Sequence, residues 1–183
     1  MKSTTLIIVI LILFACGNSK KPATKTATEA IEFKKYSSVL EGLKEANDFN
    51  EANGTLKVLS KEGDPIHIQV SKPILDGDLE SVIIQQTKRD VIYVAFQAFA
   101  ETDINELTVT SIPINDKSNY VDKFKMTLTV NRETAKNILK KYLGTDSFQD
   151  LYNLEGTLFL PSEKFNQLKF ADLDKVFTDL SNS

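Results

Sequence analysis

Lys123-Phe124-Lys125-Met126-Thr127-Leu128-Thr129-Val130 (KFKMTLTV, 123–130) decides the fold, because its apolar residues alternate strictly with lysine and threonine. A period of two sends successive side chains to opposite faces of a strand, so Phe124, Met126, Leu128 and Val130 point to a core and Lys125, Thr127 and Thr129 point away. Upstream, Leu107, Val109 and Ser111 alternate with Thr108, Thr110 and Ile112 as far as Pro113, and the polar link 115–122 predicts an exposed hairpin loop between the two runs. A second hairpin is expected from Thr55 to Ser71. Leu56 and Val58 alternate with Lys57 and Leu59, Glu62-Gly63-Asp64-Pro65 supplies the reversal, and Ile66, Ile68 and Val70 alternate with His67, Gln69 and Ser71.

Between the hairpins, Val82, Ile83, Val91, Val94, Ala95, Ala98 and Phe99 recur at helical spacing and predict a long helix over 79–100, with Asp78 as its N-cap. Ile92, Tyr93 and Phe96 widen its apolar surface, which predicts cover on more than one side. A short strand at 91–96 is the competing reading, and the interleaved alanines favour the helix. Three further helices are expected: one over 36–48, one over 132–143 between an Asn131 cap and Gly144, and a terminal one carrying Phe170, Leu173, Val176, Phe177 and Leu180. Asp146 and Gln149 look like a capping box for a short helix through Tyr152 or Leu154. The apolar run 157–160, set between Gly156 and Pro161, is either a short edge strand or a buried connector. The fold class is α+β, an antiparallel sheet of about four strands in two hairpins with helices packed mainly on one face.

The N-terminus is of another kind. Lys2 precedes an unbroken apolar run from Leu6 to Ala15, and Leu13-Phe14-Ala15-Cys16 closes that run with the one cysteine of the chain. The run is about half of the ~20 apolar residues a bilayer-spanning helix needs, which weighs against an uncleaved signal anchor. This segment resembles the signal sequence of bacterial lipoproteins, with Leu13, Ala15 and Cys16 in the lipobox. The resemblance implies cleavage before Cys16, diacylglycerol and N-acyl (palmitate) modification of that residue, and a membrane anchor. Residues 1–15 are then a signal peptide, 16–33 a polar tether, and 34–183 a single globular domain.

With 42% hydrophobic and 26% charged residues over its 183 positions, the chain belongs with folded proteins. A net charge of −3, with scattered lysines, excludes a nucleic-acid partner held by phosphate contacts. His67 is the only histidine, so a Ser-His-Asp or Cys-His device has one imidazole to rest on, and a zinc site of the usual kind lacks ligands. Asp76, Asp78 and Glu80 do not follow a calcium-loop spacing, no phosphate-binding glycine pattern occurs, and Asp146, Asp150 and Glu155 read as a solvated helix face. No catalytic residue, metal or cofactor is assigned.

One polar surface stands out. If the strands share a sheet, His67, Gln69, Thr108, Thr110, Lys125, Thr127 and Thr129 line the face away from the helices, a candidate surface for a protein partner or a glycan. The leading expectation is a non-catalytic, lipid-anchored binding or assembly protein of the cell envelope. Its domain would stand in the periplasm or at the cell surface, on the outer rather than the inner membrane of a Gram-negative cell. An immunity lipoprotein that neutralises a toxin from neighbouring cells, and a carboxylate-based envelope hydrolase, are the alternatives.

Overall fold

The computed structural model describes residues 32–61 and 65–183. The signal peptide, the tether up to residue 31 with Cys16, and the turn at 62–64 lie outside the described residues. Ile31–Ser183 form one compact unit.

The two hairpins are β1 (Leu56–Val58) with β2 (His67–Val70), and β3 (Glu106–Ser111) with β4 (Met126–Asn131). They join into one sheet of order β1-β2-β3-β4, but β2 and β3 run parallel, so the sheet is mixed rather than antiparallel throughout. The cause is α2 (Glu80–Glu101), which separates the hairpins. At 1.5 Å per residue it is about 33 Å long, enough to return the chain to the end from which β2 set out, so β3 starts in the same direction. Parallel neighbours need a crossover connection of this kind, which a hairpin loop cannot supply.

The apolar alternation lands as its period requires. Ile68, Val70, Leu107, Val109, Leu128 and Val130 are all buried, and they form one core with α2. From Asp90 to Ala100 every residue except Tyr93 is buried. Such a helix must be enclosed on all sides, and α2 touches β3 and β4 as well as α1 (Val39–Ala46) and α5 (Leu173–Ser181). Val39 and Leu43 of α1 and Val176 and Leu180 of α5 are each at most 2% exposed, so the outer helices bury their apolar stripes in the same core.

Helix α3 runs from Arg132 to Leu143 as its end signals predict. The Asn131 side chain accepts from the Thr134 N–H at 2.8 Å, and Gly144 closes the helix at a φ of 69°. Asp78 does not cap α2. Its Oδ2 accepts from the Leu75 N–H at 2.8 Å inside the preceding turn, and the residue before α2 is Leu79, which offers no side-chain cap.

The segment after Gly144 differs more. Only Phe148–Leu151 coil, as a single 3-10 turn; Tyr152–Glu155 form β5, paired antiparallel with β6 (Leu158–Pro161) in a separate two-stranded sheet. Gly156, at a φ of 64°, opens the two-residue loop, so strand pairing outcompetes the short helix expected through Tyr152 or Leu154. The run 157–160 is therefore largely a strand. Beyond it lie the short α4 (Glu163–Asn166), begun by Ser162, and a π turn (Gln167–Ala171) that carries Phe170 out of register. Phe170 is 55% exposed rather than part of the terminal helix's apolar stripe.

Candidate functional site

The register brings the predicted polar face together. His67 lies opposite Thr108 and Thr108 opposite Thr129, while Gln69 lies opposite Thr110 and Thr110 opposite Thr127. Its hydroxyls satisfy one another: Thr108 and Thr129 share a hydrogen bond of 2.9 Å, Thr110 and Thr127 one of 2.7 Å, and His67 Nε2 meets Thr110 Oγ1 at 2.9 Å. Lys125 stands just before β4, and its charge, after burial, helps hold the His67 imidazole below its ordinary pKa. The face is thus a closed ladder of hydroxyls, flanked by an exposed lysine.

A deeper feature lies on the far side of α2. A cleft of about 1080 Å³ opens between the end of α1, one face of α2, the β5–β6 hairpin and the entering segment 32–36. Tyr93, Gln97 and Glu101 line it from α2, and their spacing of four residues puts them in one row. The entering chain is tied to that row, because the Tyr36 N–H donates to the Glu101 carbonyl at 2.8 Å. The hairpin supplies an apolar rim. Phe33 packs edge-on to Phe159 with centroids 4.9 Å apart and against Tyr152 at 5.1 Å.

Among the described residues the polar groups of the cleft are incompletely matched. Gln97 is 2% exposed; its Nε2 donates to both Glu101 carboxylate oxygens at 3.1 and 3.2 Å, while its Oε1 has no hydrogen-bond partner. The Tyr152 hydroxyl is also buried without a partner. Tyr93 donates to Asp48 Oδ2 at 2.5 Å, and burial together with that carboxylate pushes its phenol well above the usual range. Burial raises the Glu101 carboxyl, opposed by the Gln97 amide. Gly42 on α1 makes room for this group: a Cβ there would stand 2.6 Å from Glu101 Oε2.

Three of the other carboxylates singled out in the sequence are engaged locally. Glu80 pairs with Lys123, Asp150 with Lys164 at 3.2 Å, and Asp78 with its own turn. Among the described residues no group of three or more His, Cys, Asp or Glu side chains comes together to hold a metal. Among them, too, no helix is long and apolar enough to cross a membrane.

Periodicity does not single out the row Tyr93, Gln97, Glu101, because Tyr93 counts towards the apolar surface and Gln97 and Glu101 read as interruptions of it. Their i, i+4, i+8 spacing is the signal that would have found them. Asp48 and Tyr152 carry no such signal, since only the fold brings them there. No family model matches the chain, and no curated protein and no solved structure matches it either.

Proposed function

We propose that the chain is a lipid-anchored cell-envelope protein that binds its ligand without transforming it, with the cleft beneath the β5–β6 hairpin as the binding site. The lipobox ending at Cys16 supports the anchor. The observation that carries the binding reading is the pair of buried, unpartnered polar atoms, Gln97 Oε1 and the Tyr152 hydroxyl, in one cleft. A buried polar group left unmatched costs about 1–3 kcal/mol, so a ligand that supplies its partner recovers that energy on binding. Acceptors dominate this wall, and the rim is apolar. The complementary ligand therefore combines hydroxyl, amide or amine donors with an apolar body.

Two experiments test this. In a bacterial host making the full chain, globomycin should cause the unprocessed precursor to accumulate and Cys16→Ser should abolish labelling by palmitate; processing indifferent to globomycin refutes the anchor. For the cleft, Tyr152→Phe removes a hydroxyl that bonds nothing, so the purified full chain in detergent should be unchanged or more stable by about 1 kcal/mol. A clear loss of stability would show that the hydroxyl has a structural partner and would remove the argument for a ligand.

Hydrolysis by carboxylates is the second reading, and Glu101 favours it, a half-buried carboxyl of raised pKa in a cleft that also holds Asp48. It requires that Glu101→Gln abolish a measurable turnover of glycoside or ester substrates by the full chain.

A further inference from the structure

Behind the cleft, sharing Asp48, Tyr93 and Pro161 with it as a common wall, lies a second cavity of about 270 Å³. Its charge is inverted: Lys72, Arg89 and Lys169 converge on it. Lys169 is 8% exposed, its amine lies over the Phe165 and Tyr93 rings at 4.3 and 5.1 Å, and among the described residues no carboxylate lies within ion-pair distance of it. Arg89 stacks 4.5 Å over the Phe170 ring and leaves its buried Nε without an acceptor. The two carboxylates present are engaged already, Asp48 by the Tyr93 hydroxyl and Asp90 by Lys72 at 3.5 Å and Ser111 at 3.4 Å.

We propose that this cavity binds the carboxylate group of a small organic acid. Three cations against two carboxylates leave one positive charge, which matches a monoanion. The Tyr93 and Phe170 rings and Pro161 provide apolar wall for the body of the acid, and the volume limits that body to a few carbons or one ring. Guanidinium and ammonium groups donate to carboxylate oxygens in charge-assisted hydrogen bonds. The cations also repel one another: burial pushes the Lys169 amine below its ordinary pKa, Asp48 opposes that, and Arg89 and Lys72 add to the lowering. A bound carboxylate relieves that repulsion. The inference stands apart from what fills the larger cleft and from the lipid anchor.

Titration of the full chain in detergent micelles with sodium benzoate, and with inorganic phosphate at matched ionic strength, tests the assignment. Saturable benzoate binding is expected, together with a melting temperature that climbs with benzoate concentration and weaker binding of phosphate. Lys169→Met keeps the stem over the rings and discards the charge, and should weaken benzoate at least tenfold. Should that variant prove unfolded by circular dichroism, Arg89→Gln takes its place with the same expectation. The proposal is overturned by a wild-type melting temperature indifferent to benzoate, by tighter binding of phosphate, or by a folded variant that binds benzoate as the wild type does.

Discussion

Asp90 is a carboxyl group held out of water inside the core. Its side chain is 3% exposed, and burial pushes its carboxyl up to about 6 against the opposing pull of Lys72 and Ser111. The folded protein therefore holds this proton at pH values where the unfolded chain has released it. Stability from this group is present in full below about pH 4 and is lost as pH rises towards 6. A shift of about two units corresponds to about 3 kcal/mol. Asp90→Asn should flatten the stability profile between pH 4 and 6 and leave the variant more stable than the wild type at pH 7, measured by urea unfolding at each pH. A variant whose profile parallels the wild type's would show that Asp90 does not titrate there. At this scale the sequence was a partial guide. Strand alternation placed His67, Gln69 and the four threonines on one face, whereas the burial of Asp90 and the orphaned Gln97 depend on neighbours from distant elements, which no local pattern encodes.

Among the elements, the junction of α2 with α3 rests on Arg132. Its Nε donates to the Ile104 carbonyl at 2.7 Å, Nη1 to Phe99 at 3.0 Å and Nη2 to Thr102 at 2.6 Å, so one guanidinium gathers carbonyls from the end of α2 and the link beyond it. Arg132→Met should cost about 3 kcal/mol in denaturant unfolding, since it strands part-buried carbonyls. Arg132→Lys should recover less than half of that, because an ammonium cannot reproduce the planar fork; full rescue by lysine would make charge, not shape, the cause. Element ends were legible where a cap is unambiguous, as with Asn131 and Gly144 around α3. They misled where the same residue type serves two purposes, and Asp78 spends its carboxylate on the Leu75 N–H rather than on α2. Strand β5 reads as helix for a related reason: a capping-box spacing competes with a glycine turn, and cross-strand pairing with β6 settles the contest.

For the molecule as a whole, the core is closed from outside by the last element. Leu173, Val176 and Leu180 of α5 are at most 3% exposed, and Asp179 binds both Lys141 and Tyr142 of α3. Burial of three such side chains contributes roughly 5–9 kcal/mol, comparable to the entire stability of an ordinary domain. Removing 173–183 should therefore abolish cooperative thermal unfolding by circular dichroism; a truncated chain that still melts cooperatively would mean that α5 is peripheral. The α+β class was readable from periodicity, but strand direction was not, because alternation is the same in parallel and antiparallel neighbours and the direction of β3 is set by where α2 packs between the hairpins. The parallel centre also bears on how the chain finds its fold. Each hairpin closes a short loop, whereas His67 meets Thr108 only after about 40 intervening positions have been gathered, and the entropy of that closure must be met before any pairing rewards it. Refolding should then be limited by the docking of two preformed hairpins across α2, with the slow step written into the one seam of the sheet that no turn connects.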